Sequence, residues 1–174
     1  MKRALLFLAL IVLSSCSTFE WKIPSIQKSQ LDASTSVVIL STWAPGKSIS
    51  SASEIGIRRK SGGPVVGAPI DNYALKSHFQ DGWGFLNAFH LPAGNYVIFL
   101  NATNPFMTYS ESNSPYEFTI KGGEIIYLGE ANFHQENGHG VVRMLDRSDR
   151  DLPMFIARNP SFSLSDFTKA IPTR

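Results

Sequence analysis

The residues able to do chemistry are few and scattered. His134, Glu136 and His139 surround a Gln-Glu-Asn-Gly turn, and two imidazoles with a carboxylate are ligands that Zn²⁺ accepts. Their spacing follows no compact metal motif and they belong to a hairpin loop. A polar surface turn is therefore the favoured reading, and no metal or other cofactor is expected. Glu117, Glu124, Glu130 and Glu136 have the chemistry of an acid–base pair for glycan cleavage, but spread over strands and turns they read as solvated faces. Serines are abundant, but without a paired His and acid they are no sign of nucleophilic catalysis. Cys16 is the one cysteine, there is no Gly-x-Ser-x-Gly elbow, and Ser61-Gly62-Gly63-Pro64 lacks the Gly-Lys-Ser/Thr ending of a phosphate loop. Catalysis is not expected.

Cys16 has a different logic. Lys2 and Arg3 precede an unbroken apolar run over residues 4–13. Such a run is too short for the roughly 20 residues a bilayer span needs, but it suits the hydrophobic region of a signal peptide. Leu13-Ser14-Ser15-Cys16 then resembles the lipobox of bacterial lipoproteins, with an apolar residue and two small ones before an acylated cysteine. The resemblance implies peptidase recognition of Leu13, Ser14 and Ser15, cleavage before Cys16, and two or three acyl chains there. One chain alone holds a protein only marginally. As the sole cysteine, Cys16 has no partner for an intramolecular disulfide. Ser17 after it resembles lipoproteins sorted to the outer membrane. Lys2 and Arg3 are two of the 16 basic residues, and none of the 14 acidic ones precedes Cys16. The mature chain would therefore carry 14 of each, without the basic footprint of a nucleic-acid binder.

These residues need elements to position them. Residues 1–15 read as the signal peptide, 16–36 as a lipidated N-terminus and tether, and 37–174 as a single domain. Alternation of Phe19, Trp21 and Ile23 with polar residues offers a position at the membrane interface or an edge strand as the alternatives to the tether. Strands are predicted at 37–43 and 55–60, while 65–69 is ambiguous. Residues 71–82 read as a connection with a short turn of helix. From 83 to 91 apolar residues fall at odd positions, with Asn87 breaking the series. Pro92-Ala93-Gly94 turns, and a dense β run follows at 96–100, so the two are expected to pair as a hairpin. Residues 116–120 and 125–128, around Lys121-Gly122-Gly123-Glu124, predict a second hairpin. A last strand spans 140–145. Ser148 is a candidate helix cap, with Asp149 and Asp151 at the positive end of the dipole. Leu152, Phe155 and Ile156 share one helical face that ends at Asn159-Pro160, and Ser163 or Ser165 would cap a second short helix through Ala170. The run 146–151 reads as a solvated cap of alternating charge. Together these make a mostly β chain: an antiparallel β-sandwich of seven or eight strands with one or two short C-terminal helices.

The stretches Phe89-His90-Leu91-Pro92-Ala93-Gly94-Asn95-Tyr96, Gly123-Glu124-Ile125-Ile126-Tyr127-Leu128-Gly129 and Asp149-Arg150-Asp151-Leu152 resemble uncharacterised bacterial lipoproteins carrying a transthyretin-like (carboxypeptidase regulatory-like) β-sandwich. The resemblance covers residues 83–160. It implies a sandwich fold and an envelope location, and no reaction. Aromatic-bearing loops at one end of such a sandwich are natural recognition surfaces. Trp83, Phe106 and Tyr109 are accordingly candidate contacts for an envelope protein, peptide or glycan, with core packing as the competing role. The expected function is a lipid-anchored, periplasm-facing binding or scaffolding module. An envelope hydrolase and a docking subunit of an export assembly are the alternatives. The hydrolase reading asks Glu130, His134, Glu136 and His139 to converge.

Overall fold

The computed structural model describes residues 19–46, 52–72, 74–103, 116–136 and 139–173. Its strands are β1 (Phe19–Glu20), β2 (Thr35–Ala44), β3 (Ala52–Arg59), β4 (Val66–Pro69), β5 (Leu75–Lys76), β6 (Trp83–Pro92), β7 (Gly94–Thr103), β8 (Tyr116–Ile120), β9 (Ile125–Glu136), β10 (His139–Leu145) and β11 (Phe167–Lys169). Among the described residues one α-helix, α1 (Ser148–Arg158), follows β10. Phe106 and Tyr109 lie outside the described residues, as do Leu13, Ser14, Ser15 and Cys16.

Two sheets face each other. The first runs β10-β9-β2-β6, with β11 beside the start of β9; the second runs β4-β3-β7-β8. The sandwich class is as expected, but the first sheet is mixed: β2 and β11 both run parallel to β9. Alternation decides what fills the space between the sheets. Val38 and Leu40 of β2 and Ile126 and Leu128 of β9 meet Ile55 and Ile57 of β3, Ile98 of β7 and Phe118 of β8. The opposite face of the first sheet is also apolar, through Val37, Ile39, Ile125 and Tyr127, and it is covered by Leu152 and Phe155 of α1. Burying each such side chain contributes roughly 1.5–3 kcal/mol. Covering both faces of the central sheet explains why VVIL in β2 is a continuous apolar run and not an alternating one.

Neither expected hairpin forms. β6 pairs with β2 and β7 with β3 and β8, so Pro92–Gly94 carries the chain from one sheet to the other. The turn at 121–124 likewise links β8 of the second sheet to β9 of the first. Alternation tells which residues point inward, and an arch buries the same side chains as a hairpin. Both arches lean on the turn at 32–36. Ala93 N–H donates to the Ser34 carbonyl and Gly123 N–H to that of Thr35. Asp32 Oδ1 accepts from both the backbone N–H and the hydroxyl of Ser34 and of Thr35 at 2.7–2.8 Å. These bonds, the hydroxyl donors first, hold the Asp32 carboxyl down at about 2.

The C-terminal end also departs from expectation. Asp146 Oδ1, not Ser148, accepts the Ser148 N–H at 2.9 Å at the start of α1. Ser163 caps a single 3₁₀ turn, Leu164–Asp166, and the chain then extends as β11 in place of a second helix. The connection at 71–82 holds β5 where a turn of helix was expected. Among the described residues no helix is long and apolar enough to cross a membrane.

Residues 19–36 do not behave as a tether. β1 pairs in parallel with β5, the edge-strand alternative, and Ile26 sits in the core beneath α1. Asn159, buried at the end of α1, accepts the Ile26 N–H at 2.6 Å and donates to the carbonyls of Pro24 and Phe155. Lys28 Nζ meets Asp166 Oδ1 at 2.5 Å. The Lys28 ammonium, followed by the Ser163 donors, lowers the Asp166 carboxyl from 3.8 to about 2. A carboxyl depressed on folding stabilises fully above its ordinary value, and that stability is lost as pH falls through the folded one. The strap should therefore loosen as pH falls from 4 to 2. In thermal melts across that range, Asp166→Asn should show a smaller drop in melting temperature than the parent; an equal drop would count against the link.

Candidate functional site

The most concentrated set of ionisable groups lies where α1 crosses the first sheet. Its geometry begins with Gly129. Between Ile39↔Tyr127 and Ser41↔Glu130, β2 advances two residues while β9 advances three, and Gly129 occupies this bulge at φ +96°. The extra residue reverses the alternation of β9. Tyr127 and Glu130 consequently both face α1, while Leu128 and Ala131 face the sandwich core. From α1 the neighbours are Asp151, fully buried, and Arg150.

Asp151 Oδ2 accepts the Ser41 hydroxyl at 2.5 Å and the Tyr127 hydroxyl at 2.7 Å, and Oδ1 accepts Arg150 Nε–H at 2.8 Å. Arg150 also donates to Glu130 Oε2 at 2.7 Å, whose other oxygen accepts from Asn132 at 2.9 Å. Its guanidinium carbon stands 3.6 Å from the Phe79 ring centroid, a cation–π contact. Arg147 reaches Glu130 at 3.8 Å from the solvent side. Burial raises the Tyr127 phenol above its ordinary value, and the Asp151 charge adds to this. For Arg150 burial pulls the guanidinium down, but Asp151 and Glu130 outweigh it and the net shift is upward. Both carboxylates thus have guanidinium partners, and Asp151 also takes two hydroxyls. The cluster clamps α1 to the sheet. The alternating charge of 146–151 is accordingly not a solvated cap at Arg150 and Asp151. Helical spacing carried the signal, since Asp151 lies four residues before buried Phe155 on the same face.

The expected site residues are placed separately. β9 and β10 form an antiparallel hairpin, with His139 opposite Glu136. His134 Nε2 lies 2.8 Å from Glu136 Oε1, and Arg143 bonds to the same oxygen. A guanidinium on that carboxylate opposes a second cation. Among the described residues no group of three or more His, Cys, Asp or Glu is arranged to hold a metal ion. Glu130 is engaged on the α1 face and does not join His134 and Glu136. Trp83, half-buried at the start of β6, donates to the Asn72 carbonyl at 3.3 Å.

A groove of about 550 Å³ opens between the segment after β1, the end of β5 and the outer side of α1. Trp21, Ile23 and Met154 give it apolar surface, and Lys22, Lys76 and Arg158 are exposed around it. Among the described residues none of these three cations forms an ion pair; Glu20 is the acid in the lining. Trp21 is locked from behind. Its indole N–H donates to Asn87 Oδ1 at 3.0 Å, and its carbonyl accepts from His78 Nε2 at 2.5 Å. His78 Nδ1 accepts the Leu86 N–H at 3.0 Å, which assigns the proton to Nε2. Asn87, the interruption in the apolar series of β6, is thus the acceptor that seats Trp21. Comparison of the chain with protein-family models and with curated proteins finds no match.

Proposed function

We propose that this protein is a lipid-anchored module of the bacterial outer membrane, held by acyl chains on Cys16. Its periplasm-facing β-sandwich would bind or scaffold an envelope protein, peptide or glycan. One observation carries the reading: the chain immediately behind the anchor is built into the domain from residue 19. Pairing with β5, the Trp21–Asn87 bond and the Asn159 bonds to residues 24 and 26 support this. Acyl chains on a loose tether would only localise a domain. On a strapped segment they also set its height and orientation, which suits a protein that presents a surface to a partner. Among the described strands of the two facing sheets, those bonded on one side only, and so able to take a partner strand, are β4 and β8 of the second sheet and β6, β10 and β11 of the first.

Cys16→Ser should abolish acylation and move the protein from the membrane to the soluble or precursor fraction, read by fractionation and by mass spectrometry of the N-terminal peptide. An unmodified N-terminal peptide in the parent protein would end the lipoprotein reading. Crosslinking in intact cells, followed by recovery of the chain, should return a reproducible envelope partner. Repeated recovery of the chain alone would count against scaffolding.

A further inference from the structure

The groove between residues 20–23 and α1 has a charge and a position that together suggest an occupant. The strap delivers its own chain to the groove: Glu20, Trp21, Lys22 and Ile23 all line it. Glu20 follows Cys16 by four positions, and an extended chain covers at most about 3.6 Å per residue, so the anchor can lie no more than about 14 Å from Glu20. A lipid on Cys16 would therefore bring this face of the domain to the bilayer surface. Lys22, Lys76 and Arg158 are exposed there without carboxylate partners among the described residues, against the single acid Glu20. Over the whole mature chain the 14 basic residues are matched by 14 acidic ones, Glu20 among them, so three cations against one acid make this groove locally positive. Charge of this kind is attracted to anionic headgroups and falls off within a Debye length, about 8 Å at physiological salt.

We infer that the groove is a membrane-facing surface that seats the anionic headgroups of phospholipids in the leaflet holding the Cys16 anchor. The inference rests on the lipoprotein reading above. Trp21, Ile23 and Met154 lie along the boundary between headgroup and acyl chain, and Lys22, Lys76 and Arg158 lay their stems along it with their charges at the phosphates. Docking in this way turns α1 toward the membrane and the second sheet toward the periplasm. The lipid anchor sets the distance, and the groove sets the rotation.

The test uses the full acylated protein with Ala157→Cys. Ala157 is exposed on the groove lining, and acylation of Cys16 leaves the new thiol as the one site for a nitroxide. The protein is reconstituted into vesicles of phosphatidylcholine alone or with phosphatidylglycerol, and collision with a water-soluble relaxing agent is measured by spin resonance. The label should lose aqueous accessibility on the anionic vesicles and keep it on the neutral ones. That protection should vanish in high salt and in Lys22→Gln/Lys76→Gln/Arg158→Gln, whose three exposed changes leave the melting temperature unaltered. Equal accessibility on both vesicles would overturn the inference. So would protection in intact cells but not on anionic vesicles, because a protein would then cover the groove. Failure of the anchor is read separately: an unacylated Cys16 would itself take up label, doubling the incorporated nitroxide and giving an unmodified N-terminal peptide.

Discussion

Arg150→Met should cost about 3–5 kcal/mol in urea unfolding, the range for breaking a buried ion pair from one side. The side chain it replaces is the hub of the α1 clamp, bonding Asp151, Glu130 and Ser41 at once. Asp151 is 0% exposed and Glu130 1%. Removal of the guanidinium therefore leaves two carboxylates without water and without their main counter-charge. Arg147 cannot substitute, because it stands 3.8 Å from Glu130 and its side chain is half exposed. Domains of this size are stable by about 5–15 kcal/mol, so the variant would be marginal.

The same reasoning gives the control. When all members of a buried charged cluster are replaced together, the desolvation penalty disappears with the attraction. Arg150→Met combined with Glu130→Gln and Asp151→Asn should therefore be more stable than Arg150→Met alone, despite carrying more changes. Tyr127→Phe should cost only about 1–2 kcal/mol, since Asp151 keeps Ser41 and Arg150 as donors. A loss below about 1 kcal/mol for Arg150→Met would mean that the cluster is solvated and that packing of Leu152 and Phe155 alone holds α1.

How much of this was legible follows from what periodicity reports. Alternation and short apolar runs carried β2, β3, β6 and β10, and helical spacing carried α1 with its inward face of Leu152 and Phe155. Strand partners were not legible: β6 and β7 adjoin in sequence across a turn suited to a hairpin, yet belong to different sheets. Inward-facing residues are the same in both arrangements, so only the contacts of Ala93 and Gly123 with residues 34 and 35 distinguish them. The N-terminal segment was misjudged for a related reason. Residues 19–36 are polar in composition, and the groups that hold them are far away in sequence: Asn87, Asn159 and Asp166. The sites divide in the same way. His134 and Glu136 drew attention by residue type, and the structure pairs them at an exposed hairpin with Arg143. The clamp was hidden because its members come from β2, β9 and α1, and because one glycine decides which way β9 points.

That glycine supports the second large effect. Gly129→Ala should destabilise the protein by about 2–4 kcal/mol, and its consequences should reach the α1 clamp. Two costs add. At φ +96° an L-residue pays roughly 1–2 kcal/mol for its Cβ. The new Cβ would also stand 2.6 Å from the Leu145 carbonyl oxygen, a backbone atom that cannot swing aside, with Ile171 at 3.4 Å beyond it. Relief requires that β9 and the end of β10 separate or that the bulge be lost. Loss of the bulge restores simple alternation, which turns Glu130 toward the sandwich core and Ala131 toward α1, so a carboxylate would enter an apolar interior without Arg150. Separation is the smaller penalty, and it moves Leu145 away from the sheet just ahead of Asp146, which accepts the Ser148 N–H at the start of α1. Hydrogen exchange should therefore speed up first at the junction of β10 with α1 and at the Arg147 amide, which donates to Tyr127. A control at Gly46 separates clash from loss of chain freedom, because an added Cβ there meets nothing within 4 Å and Gly46→Ala should change stability by less than about 1 kcal/mol. Equal effects at the two positions would mean that the bulge does not orient Glu130.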